Sequence, residues 1–377
     1  MQPIEPFNPT IHLAIELSTS TWLVAAQMPT SEKIRLHRIH AGDAAALLEL
    51  IKKLQSHVAA KLGCVEVIVA SCFEAGRDGF WLHRLLIAHG VANHVMEPTS
   101  ILVNRRAHRA KTDRLDAQGL LRVLVAYRRG DHHVCSVVRV PSPEEEDAKR
   151  QHREREHLVQ ERVRIGNRIQ ALLATQGIRK RLSLRSWDRD LKALQTGDGR
   201  PLPLHLHAEL NRLRRRLVMT LEMIREVEAE REQELVEKKN DPATDTIRAL
   251  CRIRGIGKNV ATVLTREVFY RSFSNRRQIA SYVGLAPMPF QSGEVDRDRT
   301  ISRAGNPRAR TTIIQFAWLW LRYQPDSALA RWFRERVGNL QGRTRRIAIV
   351  AMARKLLIAI WRYVSSGIIP EGAHIAA

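Results

Sequence analysis

Asp113 and Asp116, three residues apart in AKTDRLDAQG, are spaced for chemistry. On a helix, positions three apart share a face. The apolar residues Leu115, Leu120, Leu121, Val123, Leu124 and Val125 predict a partly buried helix that begins there. Two carboxylates held side by side repel each other unless positive charge lies between them, and a divalent cation is the common solution. The same residues also fit a plain helix start, with Thr112 or Asp113 as the cap and Asp116 as a solvated first-turn acid. Two more acids stand where strands would deliver them. Glu16 lies in the apolar run Ile11–Leu17, and Glu74 follows the strand-like Cys64–Ala70. Strand, strand and helix start is an order that can gather carboxylates around Mg²⁺. Paired metals there can stabilise both the attacking and the leaving oxygen at phosphorus.

A second group of residues combines hydroxyls with guanidiniums. The stretch QSGEVDRDRTISRAGNPRAR, residues 291–310, holds Ser292, Ser302 and five arginines: Arg297, Arg299, Arg303, Arg308 and Arg310. Serine is a poor nucleophile unless activated, and preorganised arginines stabilise the charge that builds on phosphate oxygens during attack. The alternative is that the arginines grip backbone phosphates and the serines are turn residues. Upstream, Ile253–Ala261 (IRGIGKNVA) has the form of a helix-hairpin-helix. Gly255 and Gly257 would allow a tight turn whose amides seat a phosphate, with Arg254, Lys258 and Asn259 beside it; an ordinary turn between helices also fits.

The elements that must position these groups can be read from hydrophobic period. Thr21–Met28 and Lys33–Ile39 are strand-like, Ala44–Leu62 is an amphipathic helix, Asp78–His89 a helix and Val91–Met96 a strand. Three strands followed by helix–strand–helix–strand–helix imply a mixed sheet with helices packed on it. Pro98 opens a basic loop with Arg105, Arg106, Arg109 and Lys111 that leads to the Asp113 helix. Pro141 and Pro143 mark a boundary. Beyond it Leu158, Ile165, Ile169 and Leu172 form one helical stripe. Leu206, Leu210, Leu213, Leu217, Thr220, Ile224 and Val227 form a heptad seam, so an antiparallel coiled-coil hairpin is expected over 141–240. Its solvated faces suit a spacer, a nucleic-acid contact or pairing of subunits. Ser281–Pro289 reads as a link, 291–310 as a surface loop, and two helices near 307–323 and 343–364 close the chain. Trp318, Trp320 and Trp361 are expected in the core.

Charge narrows the partner. The 377 residues carry 62 Lys and Arg against 39 Asp and Glu, a net +23. A polyanion is therefore expected, most simply nucleic acid. The basic residues are spread through periodic segments, which argues against a basic tail or a membrane-surface helix. The four cysteines make no zinc spacing and fit a reduced compartment. No signal peptide is expected from MQPIEPFNPT, and Ile347–Val364 is too short and too charged to span a bilayer, so a cytoplasmic protein is expected.

The motifs FEAGRDGFWLHRLL, AKTDRLDAQGL, IRGIGKNVATVL, IASYVGLAPMP, SGEVDRD and ISRAGNPRAR occur in this order over nearly the whole chain. Together they resemble the DEDD-type transposases of the bacterial insertion-sequence one-ten family, closest to its eleven-eleven subgroup. The resemblance implies a RuvC-like, ribonuclease-H-like domain over 1–140, the coiled coil over 141–240, and a helical transposase domain with a catalytic serine over 241–377. It further implies a Mg²⁺ cofactor, a structured noncoding guide RNA (the bridge RNA) that pairs with donor and target double-stranded DNA, and homo-oligomers from dimer to tetramer with sites shared between subunits. By position, the acidic motif falls on Glu16, Glu74, Asp113 and Asp116 and the nucleophile on Ser292, with Ser302 the runner-up. Arg105, Arg106, Lys111, Arg254, Gly255, Gly257, Lys258, Asn259, Arg297, Arg299, Arg303 and Arg308 are the expected nucleic-acid contacts. The family's first acid is usually aspartate; here it is Glu16, one methylene longer.

Overall fold

The computed structural model describes residues 9–101, 112–292, 295–339 and 341–375, with the backbone alone for 291–292 and 295–299. Arg105, Arg106 and Lys111 lie outside the described residues. The chain forms two compact units, Met1–Ser142 and Pro143–Ala377.

In the first unit, β1 (Thr10–Leu17), β2 (Thr21–Gln27) and β3 (Ile34–His40) form an antiparallel meander. Helix α1 (Ala44–Leu62) crosses to β4 (Ile68–Glu74), and α2 (Trp81–Ala88) crosses to β5 (Ala92–Met96). β4 and β5 run parallel to β1, and the sheet order is β3-β2-β1-β4-β5. A mixed sheet in this order, clothed by helices, is consistent with a ribonuclease-H-like transposase. Strand alternation sorts the two faces. Leu13, Ile15, Val69 and Phe73 pack with Leu47, Ile51 and Leu54 of α1 and Leu82 and Leu86 of α2. Ala14, Cys72 and Met96 point the other way, onto Ala117, Leu120, Leu121 and Leu124 of α3 (Asp113–Arg128). β4 begins four residues later than its hydrophobic run suggests. Ala70, Ser71, Cys72 and Phe73 are fully buried in the middle of the sheet, where small side chains admit helices on both faces. Glu74 is thereby the last residue of the strand rather than the residue after it.

The second unit opens with α4 (Pro143–Asp147) and the long α5 (Arg150–Thr175). After α6 (Trp187–Lys192), α7 (Leu204–Glu237) returns along α5. Their antiparallel course is fixed by the ion pairs Arg155–Glu228 at 2.6 Å and Arg168–Glu209 at 2.9 Å. Leu210, Leu213, Thr220, Ile224 and Val227 of the leucine seam are buried. Trp187 and Leu191 of α6 plug one end beside Ile169 and Leu173.

Next come α8 (Pro242–Arg252), α9 (Lys258–Leu264) and a π-type turn over Thr265–Phe269. α10 (Arg276–Val283) leads to a two-stranded hairpin, β6 (Pro287–Ser292) and β7 (Val295–Ile301). The expected link and surface loop over 281–310 are corrected by this hairpin. Its strands hold few aliphatics and two prolines, so the period-two signal of a half-buried strand is missing, and backbone pairing defines it instead. α11 (Pro307–Tyr323), α12 (Ala328–Val337) and α13 (Arg343–Ser366) complete the chain. α12 has no counterpart in the sequence reading, because its buried positions are only Ala330, Phe333 and Val337 among charged neighbours. The core of this part holds Trp320, Phe316, Met352, Leu356 and Ile360. Trp320 is fully buried and donates to Ser327 Oγ at 2.8 Å, as a buried indole N–H requires. Trp361 packs on the core margin, whereas Trp318 is 37% exposed, contrary to its expected burial. No helix among the described residues is long and apolar enough to cross a membrane.

Candidate active site

Strand register and helix direction place the acidic residues toward one end of the first sheet. The parallel register pairs Ala14 with Cys72, and two residues further along each strand come Glu16 and Glu74. Alternation puts both on the face that α3 covers. α3 runs opposite to β1. Leu120 lies against Cys72, whose thiol donates to its carbonyl at 3.8 Å, while Arg128 and Arg129 at the far end bear on His12 of β1. Burial and these two charges lower the His12 pKa. The first turn of α3, with Asp113 and Asp116, therefore falls at the Glu16/Glu74 end. Thr112 is the cap, its hydroxyl accepting from Leu115 N–H at 3.3 Å, as the plain helix-start reading expects. Glu16 and Asp116 are half-buried, and Asp113 and Glu74 are exposed. Glu16 and Glu74 each engage another group. Among the described residues no three His, Cys, Asp or Glu side chains stand close enough together to hold a metal ion.

In the second unit, Ser292 is the last residue of β6 and pairs with Val295; Arg297 pairs with Phe290, and Arg299 follows two residues on along β7. Ser302 and Arg303 leave the hairpin. The Ser302 N–H donates to Ala286 O at 2.8 Å, and its buried Oγ has no partner among the described residues. Arg303 is exposed and adopts φ 57°, a left-handed conformation that costs a non-glycine residue about 1 kcal/mol or more. Arg308 is held in an ion pair by Glu156, and Lys258 by Glu232 at 3.0 Å. Gly257 caps α9, Asn259 is half-buried, and Arg254 is exposed. Gly255 has φ 94° and packs on Tyr323; a Cβ there would sit 2.7 Å from that of Tyr323.

The segment Ser302–Asn306 is seated on the end of α10 by close backbone contact. Gly284 (φ 73°) faces the Ala304 carbonyl, and Gly305 (φ 84°) faces the Tyr282 carbonyl, so close that a methyl at either would collide. Gly305→Ala should cost about 2–4 kcal/mol, combining left-handed strain with overpacking. Gly367→Ala, at φ 70° with open space around it, should cost only about 1 kcal/mol. Urea-midpoint shifts for the two variants measure the difference, and equal shifts would disprove the contact.

The feature that sequence reasoning missed is buried beneath that segment. The π-type turn directs Glu267, 1% exposed, inward. Its carboxylate accepts from His152 Nε2 at 2.9 Å, Arg153 Nε at 2.7 Å, Arg153 Nη2 at 3.0 Å and Asn306 Nδ2 at 2.9 Å. Asn306 also caps α11, and the Tyr282 hydroxyl donates to the Glu267 carbonyl at 3.0 Å. Burial alone would push the Glu267 carboxyl up. The hydrogen bonds from His152 and Arg153, the Arg153 charge and the Asn306 amide outweigh it, and the carboxyl is held far below the usual carboxylate range. A lone acid in the apolar run VATVLTREVFY was the available signal.

The protein of Sinorhizobium fredii named "Putative transposase y4rJ" is 46% identical over 376 residues, 96% of this chain and 94% of that one. A family model described as Transposase IS116/IS110/IS902 matches residues 247–332, and a DEDD transposase model of the IS110 type matches 14–176. The chain belongs to the IS110 family of transposases. Further relatives are the transposase for insertion sequence element IS1328 of Yersinia enterocolitica, 28% identical over 57% of this chain and 62% of its own, and that for IS1111A of Coxiella burnetii, 24% identical over 80% and 77%. This IS110-family transposase is an insertion-sequence enzyme that binds, cleaves and recombines DNA. Glu16, Glu74, Asp113 and Asp116 lie within the DEDD match, and Glu267, Ser292, Arg297, Arg299, Arg303 and Arg308 within the other.

Proposed function

We propose that this transposase cuts and rejoins DNA through a phosphoserine intermediate on Ser292, with Mg²⁺ held by Glu16, Glu74, Asp113 and Asp116. What supports it is that strand register and the direction of α3 point the four acids, from segments nearly a hundred residues apart, toward the same end of one sheet face. They offer only hard carboxylate oxygens, donors that suit Mg²⁺. A divalent cation held there would supply positive charge to offset the negative charge of the reacting phosphate. The Ser292 Oγ–phosphorus bond forms as the bond from phosphorus to a sugar oxygen breaks, and the serine proton ends on that leaving oxygen. The ester conserves the phosphodiester bond energy, so a sugar hydroxyl from another strand can reverse the step. Arg297, Arg299 and Arg303 stabilise charge on the non-bridging oxygens. Arg105, Arg106, Lys111, Arg254, Asn259 and the Gly255/Gly257 turn of a helix-hairpin-helix hold backbone; Lys258 and Arg308 join them by exchanging their acidic partners for phosphates.

In this reading 1–140 is the acidic domain, 141–240 a coiled-coil spacer and 241–377 the serine domain. Dimers to tetramers bring the acids of one subunit to the serine of another, and a noncoding guide RNA selects donor and target in the cytoplasm. Incubation with element-end DNA and Mg²⁺, followed by a denaturing gel, tests the mechanism. Wild type should carry covalent DNA, and chelation of Mg²⁺ should abolish it. Cut DNA with free 5′-phosphate and 3′-hydroxyl ends and no attached protein would favour a hydrolytic junction nuclease. Binding without any cutting would favour an inactive descendant.

A further inference from the structure

The outer face of α11 presents side chains that the core covers only in part; Trp318 meets the buried Phe333 edge-on at 6.2 Å. Trp318 and Tyr323 are each 37% exposed, and Leu319 39%. Trp318 and Arg322 are four residues apart, as are Leu319 and Tyr323, so the four share one side of the helix. Arg345, from the first turn of α13, lies 5.2 Å from the Trp318 ring centre, and Arg322 lies 5.7 Å from that of Tyr323. Arg343 and Arg346 are exposed beside Arg345 in sequence. None of these four arginines makes an ion pair among the described residues. Neither α11 nor α13 contains an Asp or Glu.

Packing on Phe333 and Gly255 accounts for only part of this face. Three arginines in the first turn of α13 stand at the positive end of the helix dipole, where each costs a few tenths of a kcal/mol or more. Guanidiniums with no acid partner repel one another, and an indole left one-third in water forgoes burial. What would satisfy all of them together is a polyanion that also carries flat apolar rings. Phosphates take the arginines, and bases stack on aromatic faces. Base pairs in a duplex hide their faces, so the match is to unpaired nucleotides. The distance fits as well. Trp318 and Tyr323 are five residues apart, about 7.5 Å along the helix, close to the spacing of successive nucleotides in an extended strand. Tyr323 also carries the Gly255 turn on its flank, so this face continues the surface that begins at Arg254.

We propose that the outer face of α11, with the first turn of α13, is a track for an unpaired DNA strand. Trp318 and Tyr323 stack on its bases, and Arg322, Arg343, Arg345 and Arg346 hold its phosphates. The occupant is DNA because this family recombines DNA, and strands must be unpaired to change partners. The track requires neither the serine nor the metal chemistry.

Fluorescence anisotropy of the full-length protein with a labelled mixed-sequence oligonucleotide of about 16 nucleotides tests it. Trp318→Ala should weaken single-strand binding about 5- to 100-fold and duplex binding less than about twofold, and Trp318→Phe should restore most of the loss. Arg322→Ala, which removes no core contact, should weaken single-strand binding and lower its salt dependence by about one phosphate's share. Equal loss on duplex and single strand, or no loss with either variant, would overturn the track. A larger loss on the RNA of the same sequence would assign the face to RNA instead. A change in the DNA-free sedimentation coefficient with Trp318→Ala would assign it to a second copy of the chain.

Discussion

Ser292→Ala is expected to lower the yield of covalent protein–DNA adduct by about a thousandfold or more, while DNA binding stays within about twofold. The proposed reaction stores the cleaved phosphodiester on Oγ, and an alanine has no atom to form that ester. Arginines beside a phosphate can stabilise charge, but without a nucleophile there is no covalent product to trap. Ser302→Ala is the paired control. Its Oγ is buried and without a partner among the described residues, so its removal leaves no group stranded. Deleting such a hydroxyl is close to neutral for stability, and the adduct should remain within about threefold of wild type. The opposite pattern, adduct kept by Ser292→Ala and lost by Ser302→Ala, would transfer the nucleophile to Ser302. Quantitative denaturing gels with end-labelled DNA read both variants.

Glu267→Ala should be among the most damaging truncations in the second unit, costing about 3–5 kcal/mol. The carboxylate answers donors from His152, Arg153 and Asn306, which come from α5 and the cap of α11. Without it, a buried imidazole and a half-buried guanidinium lose their acceptor. The Asn306 cap and the segment from Ser302 then lose one of their anchors. Chemical denaturation followed by circular dichroism gives the magnitude. A loss below about 1 kcal/mol would show that the network adds little.

The same residue predicts a pH dependence. Its folded pKa is depressed, so between the folded and unfolded values the unfolded chain binds more protons. The contribution is complete above the ordinary glutamate value of about 4.3 and is lost progressively as pH falls below it toward the folded value. Wild-type stability should therefore drop between about pH 5 and pH 3, with a steeper slope than that of Glu267→Gln. Parallel slopes for the two proteins would contradict it.

Local pattern made much of the first unit readable. Leu47, Leu54 and Val58 repeat at helical intervals, and α1 follows over the expected residues. Thr112 followed by Leu115, Asp116 and an apolar run announces the start of α3. The hairpin at 287–301 was illegible because its strands carry charge where a buried face would carry aliphatics. Trp318 was misread because a tryptophan four residues from a core neighbour looks the same in sequence whether it faces in or out. Its exposure depends on where α12 and α13 pack.

By itself the amino-acid order determined the longer helices and most strands, the excess of positive charge, the pairing of Asp113 with Asp116 on one helical turn, and the family. These are properties of short windows, of composition, or of ordered motifs, and they need no knowledge of distant contacts. Only the tertiary structure decided that Glu16 and Glu74 lie at the same end of adjacent, sequence-distant strands, because β4 inserts next to β1 rather than next to β3. Only it decided that Glu267 stays ionised in the interior, since its hydrogen-bond donors lie 115, 114 and 39 residues away along the chain. The cost of burying a charge is set by the groups around it in space, and chain order does not say which groups those are.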